Sequence, residues 1–180
     1  PPDSVRSAVS IDEAEKCVLM VRSEDGAGTA FIAKDGESCY VYTNVHVASS
    51  KSLEFSDFRG KSVAVSSQGQ VVGKPVNLSL VNELGIDIVR FPLLESPEFS
   101  LRFASRETIE KRPEVWTLGD SGGVGILKTL RGHIKGVGPT RIEVDCEFIQ
   151  GNSGGPIVTS HGEVVGIASY LTADKTIWAK

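Results

Sequence analysis

The sequence predicts an all-β protein built of short antiparallel strands, and three observations carry that reading. Apolar runs of about four to eight residues recur along the chain, bounded by Gly, Ser, Pro and Asp, which is the signature of strands joined by tight turns. Nineteen glycines among 180 residues, with 40% hydrophobic residues, suit many turns better than long helices. No apolar stretch approaches the length of a membrane span. A chain of this length holds either one domain with a full core or two small barrels that share an interface.

The elements follow in order. Residues 1–16 open with two prolines and continue as SAVSIDEAEK, a lead-in that is either mobile or a short helix; PPDSV does not have the form of a signal peptide. Cys17 to Arg22, Gly26 to Lys34 and Ser38 to Tyr42 read as three strands, with Asp35 and Gly36 as the turn between the second and third. Short strands are expected at Leu53 to Phe58, Ser62 to Ser66, Gln70 to Val72 and Val76 to Val81. Gly85 to Phe91 (GIDIVRF) sets a single acid, Asp87, inside a β-branched run, where a carboxylate needs a hydrogen-bond partner; Arg90 is one and a histidine another. Pro92 to Arg112, with mixed charge, reads as a connection, and Val115 to Leu118 begins a new set of strands. Ser121 is followed by an apolar run, Val124 to Leu130, that reads as a strand.

The densest chemistry lies in Gly151 to Pro156, GNSGGP. A serine hydroxyl attacks a carbonyl only with a base beside it and hydrogen-bond donors aimed at the developing oxyanion. Gly151 lacks a Cβ, so a carbonyl can approach the N–H groups of Gly151 and Ser153. Gly154 and Gly155 permit the dihedrals of a tight loop, and Pro156 fixes its exit into the strand Ile157 Val158. His161 to Glu163 then turns the chain back as a hairpin. His46, just before the small residues Ala48 and Ser49, stands at a strand end where its ring reaches a cleft.

Taken together, TNVHV (Thr43 to Val47), IDIVRF (Ile86 to Phe91) and GNSGGPIV (Gly151 to Val158) resemble the trypsin-like serine proteases, and within them the HtrA (DegP) and bacterial glutamyl-endopeptidase branches. The resemblance covers about residues 17–178. It implies two six-stranded antiparallel β-barrels of chymotrypsin type with the active site between them: residues 17–92, a crossover at 93–112, and residues 113–180. It also implies a serine endopeptidase with a polypeptide substrate, no cofactor, and a periplasmic or secreted setting. His46 is then the general base, Asp87 holds its tautomer, Ser153 is the nucleophile, and Gly151 and Ser153 supply the oxyanion hole, in the chain order His, Asp, Ser. The rival reading is a protease-like binding module with weak or no turnover.

Two competing motifs fail. Gly119 to Gly123 spells GDSGG, the nucleophile motif of vertebrate trypsins, but Ser121 has no proline exit and fewer than sixty residues after it. The literal GxSxG at Gly151 to Gly155 fits a lipase elbow only if an acid and then a histidine follow, and the 27 residues after Ser153 offer His161 before Asp174. Trypsins place an aspartate before the nucleophile to pair with a new N-terminus; Asn152 stands there, so activation by that ion pair is not expected.

By family position the primary specificity pocket is lined by Glu147, Phe148, Ile149 and Gln150 and by Ala168, Ser169, Tyr170 and Leu171. Leu171, where a glycine would keep the pocket open, favours small or medium aliphatic side chains over the basic ones that Glu147 would select. Ala168 replaces the histidine that glutamyl endopeptidases need. The remaining chemistry is sparse. Net charge is −4 with no basic stripe, which excludes nucleic acid as the expected partner. Cys17, Cys39 and Cys146 allow at most one bridge and no zinc site, and His133 and His161 are expected at the surface without metal-ligand neighbours.

Overall fold

A computed structural model describes residues 5–24, 26–48, 52–71, 74–75, 88–139, 141–147, 151–169 and 176–178. The lead-in contains β1 (Arg6–Ser7) and the helix α1 (Ile11–Glu15). Ser10 caps α1 by accepting the Glu13 N–H at 3.2 Å, and the Glu13 carboxylate reaches back to the Val9 N–H at 3.0 Å. Then come β2 (Val18–Ser23), β3 (Gly26–Asp35), β4 (Ser38–Thr43), α2 (Val45–Ala48), β5 (Glu54–Ser56), β6 (Gln70–Val71), β7 (Lys74–Pro75) and β8 (Val89–Pro92). The connection carries β9 (Phe99–Ser100), β10 (Arg102–Phe103) and α3 (Arg106–Glu110). Next are β11 (Glu114–Gly119), a 3-10 turn at Ser121–Gly123, β12 (Lys128–Val137), β13 (Arg141–Val144), β14 (Pro156–Thr159), β15 (Glu163–Ile167) and β16 (Thr176–Trp178).

Strands β2 to β8 form one curled antiparallel sheet in the order β5-β2-β3-β4-β8-β6-β7. In the second sheet, β11, β12, β13, β16, β15 and β14 close into a ring, because β16 pairs with β13 on one side and with β15 on the other. Each sheet departs from a plain six-stranded antiparallel barrel. The first has seven strands among the described residues, and the second gains β10, which runs parallel to β15. The connection carries pairings of its own: β9 pairs in parallel with β1, and β10 joins the second sheet.

Two local expectations shift, and a third is not reached. The Ser62 to Ser66 run makes only single bridges, Ser56 to Ser62 and Val65 to Leu93. The run after Ser121 opens with the 3-10 turn, and its strand starts at Lys128 rather than Val124. Gly122 at φ 84° and Gly125 at φ 81° bend that segment away from extended backbone. The Val76 to Val81 strand lies outside the described residues.

Strands β14 and β15 are buried on both faces, which explains why PIVT and VVGI read as unbroken apolar runs. Neighbouring side chains point to two cores, with a register shift in the β14–β15 pairing breaking strict alternation. Val158, Val164 and Ile167 join a cluster with Phe31, Tyr42, Val21 and Leu118 that spans both sheets, while Ile157 and Val165 join Val115, Ile142 and Val144 inside the second. Phe31 stacks on Tyr42 at 5.5 Å and Phe103 of β10 meets Tyr42 edge-on at 5.1 Å, pairs worth about 0.5–1.5 kcal/mol each beyond their buried area. The connection thus locks onto the first sheet as well as the second.

Candidate functional site

The two ends of the expected site meet at Gly28 of β3. A Cβ built there would lie 2.7 Å from Val47 Cγ1 and 3.3 Å from the Ser153 carbonyl oxygen, so the residue after His46 and the backbone of Ser153 both rest on one bare Cα. Only glycine admits that double approach. His46 itself is exposed and sits on the four-residue helix α2 rather than at the end of a strand: β4 stops at Thr43, and the chain turns helical at Val45. The pairing of Thr43 with Val89 places the start of β8 beside the end of β4 from which α2 departs. Asp87 lies outside the described residues. Arg90, a possible partner for it, is engaged elsewhere. Its guanidinium meets Asp35 at 2.6 Å, Tyr42 Oη at 3.1 Å and Gln70 Oε1 at 3.1 Å, and stacks on Tyr40 at 3.7 Å.

The Gly151 to Gly155 loop is pinned from three sides. Thr29 donates its N–H to the Ser153 carbonyl at 2.9 Å and its hydroxyl proton to the Gly151 carbonyl at 2.6 Å. Gly154 N–H donates to the Ala168 carbonyl at 2.7 Å, and Ala168 N–H returns to the Gly155 carbonyl at 2.9 Å, tying the loop to the expected pocket strand. Gly151, at φ 103°, lies so close to Asp120 that a Cβ would come within 2.1 Å of its carbonyl oxygen. At Gly155 the reason for glycine is contact rather than dihedral freedom: its φ is not positive, but a Cβ would meet the Leu118 carbonyl at 2.5 Å. Among the described residues, neither the Gly151 nor the Ser153 N–H donates to a protein acceptor. Gly151 is buried and Ser153 is partly buried.

Burial separates the two serines. Ser121 is buried and donates its hydroxyl proton to Asn152 Oδ1 at 2.7 Å, whereas Ser153 is only partly buried. A hydroxyl enclosed by protein and already bonded cannot reach a substrate. Asn152 thus takes a neutral hydrogen bond from the 3-10 turn where trypsins carry an ion pair.

Of the expected pocket residues, Ala168 and Ser169 are buried and Glu147 is exposed, while Phe148, Ile149, Gln150, Tyr170 and Leu171 lie outside the described residues. His133 and His161 are exposed. The Asp145 carboxylate is held below the usual carboxylate range, chiefly by the His133 backbone N–H at 2.6 Å. Among the described residues no cluster of His, Cys, Asp or Glu is arranged to hold a metal ion, and no helix is long and apolar enough to cross a membrane. Cys17, Cys39 and Cys146 are free thiols.

Sequence reasoning missed Thr29, Arg22 and Asp120, all of which touch the loop or its supports. The available signal was chemical: Thr29 is a lone hydroxyl in the apolar run Ala27 to Ala33, and a buried hydroxyl needs a partner.

Residues 26–167 match the family model described as the trypsin-like peptidase domain. The chain is similar to a putative serine protease HhoB of Synechocystis sp., with 30% identity over 157 residues, covering 84% of this chain and 36% of that protein. It therefore spans little more than a third of that relative's length. Among solved structures, the active form of the Rv3671c protease from M. tuberculosis superimposes with a TM-score of 0.67 at 20% identity, covering 99% of this chain and 85% of that one. A serine endoprotease from Yersinia pestis gives 0.66 at 21% identity, covering 94% and 61%. At such identities the likeness is one of fold.

Proposed function

Because the chain belongs to the trypsin-like peptidase family, we propose that it is a serine endopeptidase that hydrolyses peptide bonds through His46, Asp87 and Ser153 and an acyl-enzyme intermediate. Ser153 Oγ attacks the peptide carbonyl while His46 takes its proton and later delivers it to the leaving amine. Asp87 orients the imidazole and stabilises its charged form. The N–H groups of Gly151 and Ser153 receive the oxyanion, where each good donor is worth about 10²–10³ in kcat. Water then attacks the acyl ester with His46 again acting as base.

The observation that carries this reading is the convergence on Gly28, where the chain beside His46 and the backbone of Ser153 share one contact. The pairing of Thr43 with Val89 supports Asp87 as the third member, since it brings the strand that follows Asp87 to the end of β4. Exposure of Glu147 supports cleavage after small or medium aliphatic residues over cleavage after Arg or Lys, because a selecting acid has to be enclosed in the pocket.

The test is digestion of an unfolded protein and a peptide library by the wild-type chain and by Ser153→Ala. The proposal expects wild-type cleavage with aliphatic residues at the cut site and none with the variant. Equal cleavage by both chains, or none by either, would overturn it.

A further inference from the structure

One buried charge lies outside the proposed chemistry. Asp120, on the turn that follows β11, has a side chain 0% exposed, yet it carries a carboxylate. One oxygen faces the Arg22 guanidinium of β2 at 3.0 Å, and the other accepts the Gly125 N–H at 2.7 Å. Arg22 lies on β2 of the first sheet and Asp120 on the turn that leaves β11 of the second, so the pair bridges the two. The guanidinium also lies against Met20 Sδ at 3.7 Å, and a Cβ at Gly125 would come within 3.4 Å of Arg22 Nη2. The 120–125 turn is thus seated on the arginine.

The backbone of Asp120 leads to the Gly151 loop by two routes. Its N–H donates to Thr29 Oγ1 at 3.0 Å, and that hydroxyl in turn donates a hydrogen bond to the Gly151 carbonyl. Its carbonyl oxygen packs directly against the Gly151 Cα while accepting the Gly123 N–H at 2.9 Å. Any displacement of Asp120 therefore reaches Gly151 both by contact and through Thr29. A carboxylate enclosed in protein stays in place only while a counter-charge and hydrogen bonds hold it there, and the sole cation bonded to it among the described residues is Arg22.

We propose that Arg22 and Asp120 are positioning residues for peptide hydrolysis: the first sheet fixes the Gly151 amide at the oxyanion through this inter-sheet ion pair. The proposal rests on the reading of Gly151 and Ser153 as oxyanion donors. Removal of the guanidinium leaves the carboxylate uncompensated, Asp120 moves toward water, and the Gly151 loop loses its backing. Removal of both charges leaves a neutral site that closes again.

Four variants of the full chain test it: Arg22→Gln, Arg22→Lys, Asp120→Asn, and Arg22→Gln combined with Asp120→Asn. Hydrogen exchange is read at the bonded amides of Gly154 and Gly155 and normalised to the β12 amides, which absorbs any global loss of stability. Arg22→Gln is expected to speed loop exchange about ten-fold or more, with Arg22→Lys and the double variant closer to wild type. In peptide hydrolysis Arg22→Gln is expected to lose about 10²-fold in kcat with little change in KM. Unchanged loop exchange in Arg22→Gln overturns the coupling whether or not the chain cleaves peptides. Faster exchange with an unchanged kcat overturns the positioning role. If the wild-type chain cleaves nothing, the endopeptidase reading fails, and the exchange result still decides the coupling.

Discussion

The Ser121 hydroxyl donates to Asn152 Oδ1 at 2.7 Å in a buried setting, so one serine of the two glycine-rich motifs braces the residue that precedes the other. This relationship turns a sequence ambiguity into a prediction. Ser121→Ala is expected to keep the reactive serine but to leave the Asn152 carboxamide without its donor, lowering stability by about 1–3 kcal/mol. Denaturant unfolding and active-site labelling of the same variant check both halves; loss of labelling with unchanged stability would reassign the nucleophile.

Loss of either Ser153 or His46 is expected to lower kcat on the order of 10⁶-fold, and loss of both by scarcely more, because the groups act as a unit. Asp87→Asn is expected to cost about 10⁴-fold, through the wrong imidazole tautomer. Steady-state hydrolysis of one good peptide substrate by the single and double variants measures this, and additive losses would argue against a shared catalytic unit.

Gly28→Ala tests the junction directly. The added methyl meets Val47 Cγ1 at 2.7 Å and Cγ2 at 3.0 Å, a clash that is expected to displace α2, and His46 with it. A misplacement of a few tenths of an ångström up to 1 Å is expected to reduce kcat by roughly ten- to a hundred-fold. Far-ultraviolet circular dichroism should stay unchanged, and wild-type kcat in the variant would contradict the arrangement.

Cys17 provides a pH signature of the first core. Burial, assisted by the neighbouring Cys39 and Glu13, pushes its thiol up to about 12. The folded thiol holds its proton more tightly than an unfolded one near pH 8.5, so this contribution is complete below that pH and is lost as the pH rises toward 12. Stability is expected to fall above about pH 9 with a slope of up to about 1.4 kcal/mol per unit from this group. Cys17→Ala removes that component, and urea titrations of both chains from pH 7 to 10.5 should show their stabilities converging.

Arg90 sits under Tyr40 and bonds Tyr42 Oη inside the first sheet, with Asp35 half exposed beside it. Arg90→Met keeps the aliphatic stem but removes the hydrogen bond that Tyr42 Oη accepts from the guanidinium, and is expected to lower stability by about 1–3 kcal/mol. Thermal unfolding measures it, and an unchanged midpoint would contradict a stabilising role for the Arg90–Tyr42 bond.

How much of this was legible beforehand follows from what each residue responds to. The strands Val18–Ser23, Gly26–Asp35 and Ser38–Thr43 answer to local alternation and to Asp35–Gly36 turn chemistry, so they were readable within a residue or two. Phe99 to Phe103 was not, because its two short strands exist only through parallel partners far away, at Arg6 and at Glu163. GNSGGP announced a tight loop, yet the need for glycine at 28 and 155 comes from long-range approaches that no local pattern encodes. Asp120 looked like part of a rival nucleophile motif; only the fold shows its carboxylate turned toward Arg22 of the other sheet.

The most direct measurement is labelling with a fluorophosphonate, followed by peptide mapping, on the wild-type chain and on His46→Ala. The proposed mechanism predicts one adduct per chain, carried by Ser153, that forms at a rate reduced at least about 10³-fold without His46. An adduct on Ser121, an adduct insensitive to position 46, or a folded wild-type chain that takes no label would contradict it.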